Sequence, residues 1–332
     1  MNTGKLTLIL CAASIAAGAD NIGGLQGPVS GYVLDMSVHA IRPMMGFPGA
    51  AYLGAPAVTA VDAAWVSPDG SAAFTVYGGQ AAIYTGLGTG APAAAKLAGV
   101  LAPDYFAWSP SGTAAVLYSA ATKQAQIISG LGTKPSVGSP IDLTSLSGQV
   151  TAIAFDGQQV LLAVSAAASG GIYLVTAQGG PRLLLSAAGP ASILLAGADL
   201  YFADNQSQQI WKVGSYATEA VPAVFANDSS ISSPAALQLS ADGTRLYVAN
   251  AGSRTVGVYD VATHAPEQSI TLNFTPTRLD RFGSNSVFLL NSAGQTGAPL
   301  YVLSDQLNKR AVYFVPGTGM TGRPHPAPYK PQ

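Results

Sequence analysis

Residues Leu237 to Asp260, LQLSADGTRLYVANAGSRTVGVYD, contain a strand, an Asp-Gly turn, a second strand, a loop and a third strand, and weaker echoes of this unit return along most of the chain. The turns are Ser67-Pro68-Asp69-Gly70, Ser109-Pro110-Ser111-Gly112, Asp156-Gly157, Gly197-Ala198-Asp199, Ser240-Ala241-Asp242-Gly243 and Arg281-Phe282-Gly283-Ser284. Their glycines, at 70, 112, 157, 197, 243 and 283, are separated by 42, 45, 40, 46 and 40 residues. A period of that length marks a repeat architecture, in which each supersecondary unit buries its apolar faces against the next.

An apolar run of strand formers follows each turn: AAFTVY, AAVLYS, VLLAVS, LYFADN, RLYVAN and SVFLLN. A third run comes after the next loop, as AAIYTG, AQIISG, GIYLVT, QIWKVG, TVGVYD and PLYVLS, and then a poorer fourth such as QSITLNF or RAVYFVP. Asp and Gly sit at the reversals because Asp bonds its own following backbone and Gly accepts positive φ. Four short antiparallel strands per unit make the blade of a β-propeller. No segment repeats apolar residues every 3.6 positions over a dozen residues, so an all-β fold with almost no helix is expected.

Residues 58 to 315 hold six such units averaging 43 residues, which leaves 20 to 57 as a further near-blade with strands around Gly31 to Met36 and Ala40 to Met44. The reading is a propeller of seven four-stranded blades with an incomplete first one, six blades plus a hairpin being the alternative. Ring closure is expected to place the N-terminal piece beside the last blade, because an open sheet edge invites aggregation. Hydrophobic residues at 48%, with 38 Gly and 22 Pro, suit short buried strands and many turns.

The strand content resembles the YVTN and NHL families of propeller repeats. The match is fullest in Ser240-Ala241-Asp242-Gly243 with Leu246-Tyr247-Val248-Ala249-Asn250 and Val256-Gly257-Val258-Tyr259-Asp260, which look like the YVTN pattern. Leu200-Tyr201-Phe202-Ala203-Asp204-Asn205 followed by Gln209-Ile210-Trp211 is closer to NHL. The resemblance implies an architecture and a secreted habit, and it carries over no catalytic residue.

At the N-terminus, Lys5, the apolar run Leu6 to Ala17 and the triplet Ala17-Gly18-Ala19 read as a signal peptide over 1–19, cleaved before Asp20. The single cysteine, Cys11, would leave with it, so neither disulfide nor thiolate chemistry is expected in the mature chain. The propeller domain is assigned to 20–316 and a disordered Pro- and Gly-rich tail to 317–332. These features point to a secreted or periplasmic monomer without a transmembrane segment after cleavage. The formal net charge is −1 with no basic run, which argues against a nucleic-acid partner.

Strand parity places the Asp-Gly turns on one face. The opposite face collects Asp204, Asn205, Asn250, Arg254 and Asn291 from the second-to-third-strand loops, with Asp62, Asp104, Thr151, Ser192 and Arg278 from the connections into blades. A binding rim at the channel mouth is expected from Asp62, Asp104, Asp204, Asn205, Asn250, Arg254 and Arg278. His39 and His264 sit in outer turns and His325 in the tail, so no histidine pair is placed to act as base or metal ligand. Trp65 and Trp108 are expected in the core, and Trp211 between blades. The expectation is a non-enzymatic binding or protein-interaction scaffold, without cofactor, for a protein or carbohydrate ligand that the sequence does not identify. The alternatives are a propeller lyase or lactone hydrolase using calcium or another divalent cation at the channel mouth, and a structural envelope protein.

Overall fold

The computed structural model describes residues 28–317 except 168–169, 177–179, 219, 284, 293–297 and 307–308. The expected signal peptide with Cys11, residues 20–27, Glu219, and the tail from 318 with His325 therefore lie outside the described residues. Seven antiparallel sheets follow one another along the chain. Blade 6 is representative: Pro234–Leu239, Arg245–Asn250, Thr255–Asp260 and Pro266–Thr271 pair in sequence order from the inside outward. The one helical segment among the described residues is a three-residue turn at Leu87–Thr89. No helix among them is long and apolar enough to cross a membrane.

The second strands explain why the ring forms. In Arg245–Asn250, Leu246 and Val248 pack with Tyr201, Ala203 and Ile210 of blade 5, while Tyr247 and Ala249 pack with Phe288 and Leu303 of blade 7. Successive side chains of a strand point to opposite faces, so a strand between two blades must be apolar at every position. Val160–Ser165 of blade 4 repeats the arrangement, with Val160, Leu162 and Val164 toward blade 3 and Leu161 and Ala163 toward blade 5. Seven apolar clusters result, one at each interface between neighbouring blades. The seventh closes the circle, joining Val33 and Met44 of blade 1 to Phe282, Val287, Leu289 and Val315 of blade 7. Fully burying one such side chain stabilises by about 1.5–3 kcal/mol, so seven interfaces of this kind can hold the ring without a disulfide. Fourth strands face solvent; Ala93–Leu97 is exposed at four of its five positions.

Blade 1 differs from the others. Its first described strand, Val29–Asp35, begins beside Phe282, at the Asp-Gly-turn end of blade 7, and leads to His39, beside Asp62 at the opposite end of blade 2. It therefore runs against the innermost strand Ala63–Val66 and in the sense of a second strand. Ala40–Met45 follows as a third strand, and the outer position is split between Tyr52–Leu53 and Val58–Thr59, both paired to it. The chemistry of the loop agrees. His39 has φ 48° immediately before its third strand, as do Lys123 (50°), Gln208 (54°) and Arg254 (53°) in blades 3, 5 and 6.

Candidate functional site

On the loop face, most of the expected rim residues are occupied with their own blades. Asp62 accepts the Gly78 amide at 2.8 Å and Asp104 accepts the Ala120 amide at 2.6 Å, each carboxylate capping the loop after the second strand of its blade. In blades 5 and 6 the same connection is made in reverse. Asp204 ends a second strand and takes the amides of Ala188 and Gly189 at 3.1 Å each, together with Gln206 at 2.8 Å and Ser207 at 3.2 Å. Asn250, at the same register, accepts the Ser232 amide at 3.3 Å through its side-chain oxygen. Both are buried, Asp204 being 3% exposed and Asn250 0%. A buried carboxylate satisfied by several N–H groups belongs to the backbone of its loop.

The other residues of this face are similarly tied or scattered. Asn291 spans its own loop by accepting from Tyr301 N and donating to Pro299 O. Thr151 donates to the Pro190 carbonyl at 2.6 Å, a bond between blades 4 and 5. Ser192 lies just past a bulge in its strand, opposite Ala203. Asn205 is exposed and its carbonyl accepts from the Gln208 side chain. Arg254 is exposed in its left-handed backbone position, where a residue with a Cβ is uncommon. His39 of blade 1 approaches Asp62 of blade 2 at 3.4 Å. Among the described residues no three of His, Cys, Asp or Glu gather where they could hold a metal ion.

The Asp-Gly-turn face repeats the pattern. Asp69 takes the Ser67 and Ser71 hydroxyls at 2.5 and 2.7 Å and the Ser71 amide at 3.0 Å. Asp242 takes the Ser240 hydroxyl at 2.5 Å, then the Thr244 amide and hydroxyl. Those bonds, led by that of Ser240, lower its carboxyl to a pKa of about 2. Between blades 6 and 7, Arg245 and Arg310 share Glu267, while Asp305 accepts from Arg310 and from the buried Tyr247 hydroxyl. Burial, and then the Asp305 bond, push that phenol well above its ordinary range.

A further set of charged groups lies in the central channel. A cavity of about 430 Å³ is lined by blade 1, by the innermost strands of blades 2, 3, 4 and 6, and by Arg278, Asp280 and Arg281 of blade 7. One wall is aromatic. Trp65 of blade 2 stacks on Phe106 of blade 3 with centroids 5.2 Å apart, Trp108 meets Phe106 edge-on at 5.4 Å, and the Trp108 indole N–H donates to the Trp65 carbonyl. Trp65 and Trp108 thus serve the core and the channel wall together, while Trp211 stacks on Phe202 against the interface of blades 4 and 5.

Across the ring, blades 6 and 7 supply Gln238, Arg278, Asp280 and Arg281. Arg278 pairs with Asp280 at 2.5 Å and also donates to Ser292. The Asp280 side chain is 49% exposed to the channel, yet crowding by the surrounding wall raises its carboxyl pKa against the lowering pull of Arg278. Among the described residues Arg281 makes only a long bond, 3.4 Å, to the Ser240 carbonyl, and no carboxylate pairs with it. Of these, only Arg278 stands among the rim residues expected from sequence. The signal for the others is that blade 7 has Asp280-Arg281 where blade 2 has AAWV and blade 3 has YFAW.

No protein-family model and no curated protein sequence matches the chain. Solved structures do. A chain from a nidogen/laminin complex is 14% identical with a TM-score of 0.53, over 75% of this chain and 92% of its own. A protein from Lactobacillus plantarum is 17% identical with a TM-score of 0.61, over 86% and 96%. A Bacteroides fragilis protein provisionally described as a 6-phosphogluconolactonase is 11% identical with a TM-score of 0.58, over 86% and 92%. At these identities the likeness is one of fold: the chain is a seven-bladed β-propeller.

Proposed function

We propose that this protein is a secreted or periplasmic propeller of the YVTN/NHL type that works as a non-enzymatic binding scaffold for a protein or carbohydrate partner. The observation that carries the reading is the use made of Asp62, Asp104 and Asp204. These are the carboxylates a divalent ion at the channel mouth would recruit, and each accepts backbone amides of its own blade. To ligate a metal the buried Asp204 would have to give up some of the four amides it accepts, whereas Asp62 and Asp104 each hold one amide of an exposed loop. A propeller found in a complex between proteins, such as the nidogen neighbour, illustrates this use of the fold.

Calorimetric unfolding of the mature chain tests the reading, because an ion bound only by the folded state must raise the melting temperature. Millimolar calcium, magnesium or zinc is expected to leave the transition unchanged in the wild type and in Asp104→Ala. A calcium-dependent rise of several degrees, lost in Asp104→Ala, would overturn it in favour of a metal-dependent lyase or lactone hydrolase. Affinity capture from the native envelope fraction would then identify the partner.

A further inference from the structure

We propose that the central channel is a small-molecule site of this scaffold, separate from the surface for its protein or carbohydrate partner, and that it takes a small organic monoanion with a flat apolar body, seated between the aromatic wall of blades 2 and 3 and the arginines of blade 7. The inference rests on the binding-scaffold reading and adds the chemistry of the ligand. Three observations converge on it.

The first is volume. About 430 Å³ lies within the range of small-molecule sites and is too narrow for a folded partner. The second is charge. The ionised residues lining the cavity are Arg278, Asp280 and Arg281, so one positive charge remains when the Arg278–Asp280 pair is formed. Arg281 carries that excess with a guanidinium held only by the 3.4 Å bond to Ser240. A guanidinium with open donors in a partly enclosed site matches a carboxylate in two-pronged geometry, whereas it repels a cation. The third is the opposite wall. Trp65, Phe106 and Trp108 line it as one packed aromatic group, and the indole N–H of Trp108 is spent on the Trp65 carbonyl. That side favours a planar apolar group.

The site also carries a pH dependence. Asp280 pairs with Arg278 and shares the cavity wall with its strand neighbour Arg281, while the Tyr32 hydroxyl of blade 1 lies toward Gly88 of blade 2. Because the Asp280 carboxyl is raised, acidification neutralises it before ordinary carboxylates and removes the negative charge that opposes the ligand. Affinity for an anion therefore rises on acidification.

Titration calorimetry on the folded chain, with trans-cinnamate as the probe and cinnamyl alcohol as its uncharged counterpart, tests the proposal. A Trp211→Phe background leaves Trp65 and Trp108 as the only tryptophans, so that a change in their emission places the ligand in the channel. Cinnamate is expected to bind one to one, with the alcohol at least tenfold weaker. Arg281→Gln should weaken cinnamate at least tenfold and leave the alcohol unchanged, while Lys96→Gln on an outer strand alters neither. Arg281 is partly exposed and outside the apolar clusters, so its variant keeps the fold. Equal binding of acid and alcohol, or unchanged affinity in Arg281→Gln, would overturn the anion assignment. Absence of cinnamate binding would overturn the channel proposal, and it is distinct from failure of the scaffold reading, which shows as metal-dependent stability.

Discussion

Polar residues in the loops and polar residues in the channel are held on opposite terms. On the loop face Asp62, Asp104 and Asn250 each accept a backbone amide and Asp204 accepts four, and on the turn face Asp69 and Asp242 accept hydroxyls and amides. In the channel the Arg278–Asp280 pair is open to solvent and Arg281 has one long bond. Polarity on the two faces is thus spent on building turns, a requirement of every blade. The channel keeps charge that no turn needs in a partly enclosed space, which is why a binding function is sought there.

The sharpest test of this contrast compares two aspartates. Asp204→Ala strips four amides of the buried acceptor they share, and a loss of about 3 kcal/mol is expected. Asp280→Ala removes one partner of a half-exposed ion pair, and such pairs contribute about 0–1 kcal/mol. Urea unfolding of the two variants measures the difference. Equal losses would show that Asp280 is as structural as Asp204, and the contrast would fall.

The two regions were not equally legible in the sequence. Second strands such as VLLAVS and RLYVAN were plain because both faces are buried, which leaves unbroken apolar runs between turn residues. Fourth strands were faint because they face solvent and break easily. In blade 3 the outer position is divided between Ser136–Val137 and Ile141–Asp142. Strand parity brought Asp62, Asp104 and Asp204 to one face. It could not show that each carboxylate closes on amides 15 or 16 residues away in the chain, since the partner is set by the loop conformation of the same blade. The channel was least legible, because Trp65, Phe106, Gln238 and Arg281 are far apart in sequence and meet only when the ring closes.

A smaller effect comes from the turns themselves. Gly243 has φ +71° with open space where a Cβ would stand, so a substitution there meets backbone strain and no clash. Gly243→Val is expected to cost about 1–2 kcal/mol, because a β-branched residue resists the left-handed region. Unfolding midpoints of wild type and variant check it, and a neutral result would detach the Asp-Gly repeat from turn geometry.

The smallest expected effect is on the acid limb of the stability curve. The Ser240 hydroxyl, followed by the Thr244 amide and hydroxyl, holds the Asp242 carboxyl at about 2, below its ordinary value of 3.8. A carboxyl whose pKa is lower in the folded state contributes stability that is present above its unfolded pKa and is lost as pH falls through the folded one. Asp242→Asn keeps an acceptor oxygen but no charge. The variant is therefore expected to unfold slightly more easily than wild type at pH 5 to 7, by less than about 0.5 kcal/mol because solvent screens an exposed group. The gap should close between pH 4 and pH 2, where wild-type Asp242 becomes protonated and offers a neutral acceptor too. A gap that stays constant down to pH 2 would mean that the Ser240 and Thr244 bonds do not distinguish the ionised carboxylate. The turn-face aspartates would then be no more committed than Asp280, and the contrast between turns and channel would lose one of its two sides.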